Sequence, residues 1–154
     1  MKRLLIYIPL LLTCTLSSCS WNEYFALFNA SGASIRVRYD IDSVESGFPL
    51  FNTAYRAYKT DRNTSIDWNK SVQLIDSDTL KNSVTLILPD QTSLIIGELS
   101  NDHYSRYDQQ FINDRRFNLN VIEVGNDSHA TRISPKQFDT YFKKKNGIIV
   151  YEIR

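Results

Sequence analysis

The run Ser34 to Asp40 constrains the fold more than any other stretch of the chain. Ile35, Val37 and Tyr39 alternate with Arg36, Arg38 and Asp40. A period of two puts the first set on one face and the second on the other, which defines an antiparallel strand with one face in water. Just before it, Tyr24 to Asn29 (YFALFN) is apolar on both faces and also reads as a strand. The link Asn29-Ala30-Ser31-Gly32-Ala33 is turn chemistry, with Gly32 free to take positive φ. These two runs are expected to pair as a hairpin.

Similar runs recur along the chain. Ser83 to Leu88 is β-rich, Pro89-Asp90-Gln91 is a turn, and Thr92 to Leu99 returns, so a second hairpin is expected there. Phe117, Leu119 and Val121 alternate with Asn118 and Asn120 in a strand running to Val124, with Gly125-Asn126-Asp127 as the next turn. Residues 41–70 are less regular. Thr53 to Lys59 fits a strand or one to two turns of helix, and a short strand is expected near Ser65–Trp68 or Val72–Ile75. Asn101 to Arg116 reads as a short helix or an ordered loop.

One helix is expected near the C-terminus. Ser134 is its N-cap and Pro135 sits at the first helical position, where a missing N–H costs nothing. Phe138, Tyr141 and Phe142 form its apolar stripe. Lys143-Lys144-Lys145 would lie at the negative end of its dipole, with Asn146-Gly147 as C-cap. Ile148 to Ile153 is a last strand. Six or seven short strands and one helix predict an antiparallel β-sandwich or small open barrel.

The first residues have a different character. Met1-Lys2-Arg3 is basic, and Leu4 to Leu12 is an apolar run of nine, far below the roughly 20 residues that span a bilayer. Leu16-Ser17-Ser18-Cys19 then resembles a bacterial lipobox. The resemblance implies lipid transfer to the Cys19 thiol, cleavage before Cys19 and acylation of the new amino terminus. Two other readings are an ordinary signal peptide cut near Ser18 and a retained anchor helix, the latter disfavoured by the short apolar run. On the lipobox reading residues 1–18 are removed, 19–23 are the acylated Cys and a short tether, and 24–154 form one β-rich domain. Several acyl chains give stable anchoring to a lipid bilayer. Ser20 in place of Asp points to the outer membrane of the cell envelope. Trp21 either dips into the membrane interface or covers the first strand.

Composition narrows the function classes. Of 18 Lys+Arg against 17 Asp+Glu, the leader holds two bases, so the remainder has 16 against 17. That balance argues against a nucleic-acid surface. A 42% hydrophobic, 23% charged chain has enough apolar material for a core and is not a disordered one. Cys14 leaves with the leader and Cys19 is acylated, so no disulfide, Cys nucleophile or Cys-ligated metal is expected.

No catalytic or metal pattern stands out. His103 and His129 are 26 residues apart with no HExxH-type spacing, and read as loop histidines. No GxSxG elbow is present. Glu98 and Glu123 read as outward residues on polar strand faces. Asp40-Ile41-Asp42 and Asp76-Ser77-Asp78 read as solvated turns rather than calcium loops. No enzyme activity, metal or cofactor is expected. The aromatics carry more information. Tyr55, Tyr58, Trp68, Tyr104 and Tyr107 fall in the irregular segments, where rings stack on sugars or anchor a protein partner, or close the ends of a sandwich.

Three pieces together resemble the small lipoproteins of Bacteroidetes-type bacteria, a group with no assigned activity. They are the lipobox at Cys19, the opening Phe25-x-Leu27-x-Asn29-x-Ser31-x-x-x-Ile35-x-Val37, and the closing Ser134-x-x-x-Phe138-x-x-Tyr141-Phe142 with its terminal strand to Ile153. They cover about a third of the chain. The resemblance implies a β-rich fold and an envelope address, and it carries over no catalytic residue. In that lineage Asp42-Ser43-Val44 and Asp78-Thr79-Leu80 resemble an O-glycosylation signal. The expected function is a membrane-anchored accessory subunit that binds a protein partner. A glycan-binding lipoprotein is the alternative, and a small envelope hydrolase is a remote third.

Overall fold

The computed structural model describes residues 20–61, 63–74, 77–126 and 129–154. The leader, the lipobox and Cys19 lie outside the described residues, as do Ile75, Asp76 and Asp127 from the strand, acidic doublet and turn read above.

The chain is mostly β, a curled open half-barrel with additional sheets and one short helix near the C-terminus. Strands β1 (Asn22–Asn29), β2 (Ile35–Ile41), β3 (Phe48–Pro49), β4 (Phe51–Thr60), β5 (Ile66–Ser71) and β6 (Asp78–Leu80) come first. β7 (Ser83–Leu88), β8 (Thr92–Ser100), β9 (Arg115–Arg116), β10 (Leu119–Gly125), β11 (Ala130–Ile133), β12 (Lys143–Lys145) and β13 (Ile148–Ile153) follow. Six strands pair in the order β12-β13-β1-β8-β4-β5, five in the order β11-β10-β2-β7-β6, and β3 pairs with β9. β1 and β13 run parallel, as do β3 and β9.

Neither expected hairpin forms. β1 and β8 lie in the six-stranded sheet, while β2 and β7 lie in the five-stranded one. The links 30–34 and 89–91 therefore carry the chain from sheet to sheet. Burial explains this. β1 buries Phe25, Ala26, Leu27 and Phe28 in succession, and β8 buries Thr92 to Gly97, so both need cover on two faces. β2 and β7 bury only alternate residues, which suits a sheet with one wet face.

The two corners are tied together by Asn29, which is fully buried. Its side-chain nitrogen donates to the carbonyls of Ala33 at 2.7 Å and Leu88 at 2.9 Å. Its side-chain oxygen accepts from the Ser31 N–H and hydroxyl at 3.1 and 2.8 Å. The Gln91 N–H donates to the Asn29 carbonyl at 2.9 Å, drawing the start of β8 against the end of β1.

A second buried amide works at the other end. Asn118 Oδ1 accepts the Phe51 N–H at 2.9 Å, and its Nδ2 donates to the carbonyls of Phe51 and Asp42 at 3.0 and 3.3 Å. It joins the start of β4 to the segment leaving β2. Gly97 lets the start of β4 close onto β8, since a Cβ there would lie 2.5 Å from the Leu50 carbonyl oxygen.

The C-terminal helix is shorter than its signals predict. Ser134 and Gln137 form a capping box, and Pro135–Gln137 is a 3₁₀ turn leading into α1 (Phe138–Tyr141). Phe142 is already extended. The lysine run is not a helix end but strand β12, and Asn146-Gly147 is the turn of the β12–β13 hairpin. Both turn residues have positive φ, 52° and 76°, the geometry of a two-residue hairpin loop. Three lysines on an edge strand also discourage pairing with another chain.

The main core lies between the sheets. Phe138 is fully buried and its ring stacks on Phe142, with centroids 4.0 Å apart. Phe25, Phe51, Tyr104 and Phe117 surround it at 5.1–6.1 Å. A smaller cluster of Ala26, Phe28, Ile66, Ile95 and Val150 occupies the opposite face of the six-stranded sheet.

Candidate functional site

That opposite face carries the strongest candidate. Along β1 the side chains alternate, so Tyr24, Ala26 and Phe28 share it. On β4 it receives Arg56 and Tyr58, and on β5 Ile66 and Trp68. Trp68 is the exposed centre, at 44%. Its ring lies 4.9 Å from that of Tyr24 and 5.2 Å from that of Tyr58. The Arg56 guanidinium sits 5.9 Å from the Tyr24 ring centroid and pairs with Glu98 at 2.8 Å. An indole held between two phenols beside an ion pair offers a flat apolar surface bordered by hydrogen-bonding groups.

Of the five aromatic residues singled out from the sequence, only Tyr58 and Trp68 meet here. Tyr55 packs partly buried against the main core. Tyr104 is not a surface residue, since it is buried with its ring among Phe25, Phe111, Phe117 and Phe138. Its hydroxyl donates to Asp139 at 2.6 Å. Burial first, and the Asp139 carboxylate second, push its phenol far above the usual range. Tyr107 is half-buried on Phe117, and its N–H donates to the other Asp139 oxygen at 3.3 Å. The 101–111 loop therefore closes the end of the core. A polar sequence masked this, because the loop buries only two rings, Tyr104 and Phe111, and leaves most of the residues between them in water.

Tyr24 and Arg56 were not singled out from the sequence. The only hint was that the first strand is apolar on both faces, so one face had to meet something other than the main core.

The histidines resolve differently from each other. His129 donates its N–H to Asn126 at 2.9 Å within a turn. His103 Nδ1 lies 2.7 Å from Glu23 Oε1, and its ring stacks on Trp21 with centroids 5.2 Å apart. Glu23, placed in the tether from the sequence, is the second residue of β1 and almost fully buried. Lys144 pairs with the same oxygen, and the Tyr104 N–H donates to Oε2 at 2.8 Å. Burial alone would raise the Glu23 pKa, but hydrogen bonds from Lys144, His103 and Tyr104 outweigh it and hold the carboxyl below its usual value. Three elements converge on this one carboxylate. It ties β1, the 101–111 loop and β12 together.

Two of the other acids read from the sequence are also engaged. Glu123 pairs with Arg132 at 2.8 Å, and Asp40 accepts from Arg38 and from the Ser83 hydroxyl at 2.6 Å. Among the described residues no three His, Cys, Asp or Glu side chains stand together as metal ligands, and no helix is long and apolar enough to cross a membrane. Ser43 and Thr79, in the two glycosylation-like triplets, both lie at the surface.

No protein-family model, no curated protein and no solved structure matches this chain.

Proposed function

We propose that the protein is a lipid-anchored binding subunit of a bacterial cell envelope, held in the outer membrane through acylated Cys19, that captures a protein partner and performs no chemistry. The lipobox-like Leu16-Ser17-Ser18-Cys19 supports the anchor, and the likeness to small Bacteroidetes-type lipoproteins supports the address. The single observation that carries the binding reading is Trp68, set open to solvent between Tyr24 and Tyr58 on the outer face of the six-stranded sheet. Exposed aromatics on a rigid sheet are typical interface anchors.

The test is cross-linked capture of the tagged, acylated protein from its native envelope, read by mass spectrometry, with Trp68→Ala and Tyr58→Ala alongside. One near-stoichiometric protein, reduced about tenfold by Trp68→Ala, is the expected result. Capture unaffected by either substitution overturns the reading.

The Arg56–Glu98 pair beside the rings favours a glycan as the second reading, because sugars are held by ring faces and by charged hydrogen-bonding side chains together. Binding to a polysaccharide array that Trp68→Ala abolishes, with no protein captured, is its signature.

A further inference from the structure

The rim at the start of β1 carries three large apolar side chains in water: Trp21 at 46%, Ile112 at 56% and Phe48 at 61% exposure. They belong to three separate segments, yet a short chain of contacts links them. The Asn101 N–H donates to the Trp21 carbonyl at 2.9 Å. The next residue, Asp102, accepts the Ile112 N–H at 2.7 Å. Ile112 opens the 3₁₀ turn that leads into β9, and β9 pairs with β3 so that Arg115 lies opposite Phe48. The Arg115 guanidinium sits 5.9 Å from the Phe48 ring. Asn118, just beyond, fastens this rim to both sheets.

We infer that this rim is a bilayer-docking face, with Trp21, Phe48 and Ile112 entering the headgroup layer. The inference rests on the Cys19 anchor proposed above. Two residues, Ser20 and Trp21, separate Cys19 from the first residue of β1, and the three Cα–Cα steps between them span at most about 11 Å. A headgroup layer is about 5–8 Å deep on each side of the hydrocarbon. A domain on so short a tether cannot swing clear of the surface. The end of the domain nearest Cys19 is the rim that holds the three exposed apolar residues.

Charge does not drive the docking. Arg106 is paired with Asp108 at 3.0 Å, Lys144 is engaged by buried Glu23, and both Asp102 oxygens accept backbone N–H groups. Arg115 donates to the Pro49 carbonyl at 3.0 Å while its guanidinium sits over Phe48. The attraction is assigned to the apolar and aromatic groups, which favour the interface.

The experiment uses the full acylated chain in phosphatidylcholine vesicles brominated high on the acyl chains. With Trp68→Phe, Trp21 is the only tryptophan. Its emission is expected to shift to the blue and to be quenched about twofold. In a Trp21→Phe/Trp68→Phe background, Phe48→Trp and Ile112→Trp are expected to be quenched alike. Ala33→Trp, on the exposed corner at the far end of β1, is expected to stay bright. Replacing half the lipid with phosphatidylglycerol is expected to change none of this. Protein that floats with the vesicles while Trp21 is no more quenched than Ala33→Trp overturns the docking face and leaves the anchor standing. Quenching that requires phosphatidylglycerol overturns the apolar basis. Protein that does not float, with an intact mass lacking acyl groups, overturns anchor and docking face together.

Discussion

The side-chain amide of Asn29 donates to the carbonyl of Leu88 across 2.9 Å, joining two corners that lie 59 residues apart. Each corner takes the chain from one sheet to the other. Neither has a hairpin's ladder to satisfy its backbone, so a single buried amide supplies the hydrogen bonds instead.

Replacing it tests that role. Asn29→Ala removes the side-chain partner of the Leu88 carbonyl and of the Ser31 N–H, leaves the Ala33 carbonyl only the Ser31 hydroxyl, and is expected to cost roughly 2–3 kcal/mol. Asn29→Asp is expected to cost more, because a carboxylate would face two carbonyl oxygens. Urea unfolding of the three proteins measures both. An Asp variant as stable as the wild type would contradict the hydrogen-bond assignment.

Glu23 predicts an acid limit to stability. Its carboxyl is held below the ordinary 4.5 in the folded protein. The unfolded chain therefore binds the proton more readily. The stabilisation is complete above pH 4.5 and is lost as pH falls through the lower folded value. Glu23→Gln is expected to be less stable at neutral pH and to have a flatter profile below 4.5. Denaturation midpoints across that range check it, and parallel profiles would show that Glu23 contributes nothing to the slope.

Tyr104 acts at the opposite limit. Burial, then Asp139, raise its phenol pKa, so the folded form resists losing the proton. Its contribution is complete below pH 10.0, the ordinary value, and declines as pH rises beyond it. Tyr39, also raised by burial, adds to the same alkaline loss. Tyr104→Phe is expected to lower stability at neutral pH by about 1 kcal/mol and to reduce the alkaline slope. Thermal melts through pH 10.0 would show it.

Phe138 and Trp68 separate folding from binding. Phe138→Ala empties the centre of the aromatic core and is expected to cost about 3–5 kcal/mol, with loss of the near-ultraviolet circular dichroism signal. Trp68→Ala, at a half-open surface, is expected to cost about 1 kcal/mol or less while removing the candidate binding surface. A Trp68 variant as unstable as the Phe138 variant would make Trp68 a structural residue.

Much of this was legible along the chain. The alternation at Ile35–Asp40, the turn at Gly32, the capping signal at Ser134-Pro135 and the apolar density of Thr92–Leu99 all have local causes, and each lies where its chemistry requires. The sheet partners were not legible, although a hint existed. A run apolar on both faces stood beside a run apolar on one face, twice over. Strands with different needs for cover belong in different sheets, and that contrast argues against pairing neighbours. The lysine run was misplaced for a related reason. Lys143–Lys145 satisfies a helix end and an edge strand equally, and only the Asn146-Gly147 turn, folded back on β13, distinguishes them.

The candidate site divides in the same way. Sequence determined that the protein has aromatic rings to spare, a lipobox-like start and balanced charge, because these depend on composition and short spacing. Tertiary structure decided which rings are surface and which are core. Trp68 and Tyr58 became a platform because β4 and β5 bring them to the second face of a sheet whose first face is already filled. Tyr104 became core because Asp139, from the C-terminal helix, arrives to accept its hydroxyl hydrogen. A ring's role depends on what packs against it, and the packing partners lie far away in sequence.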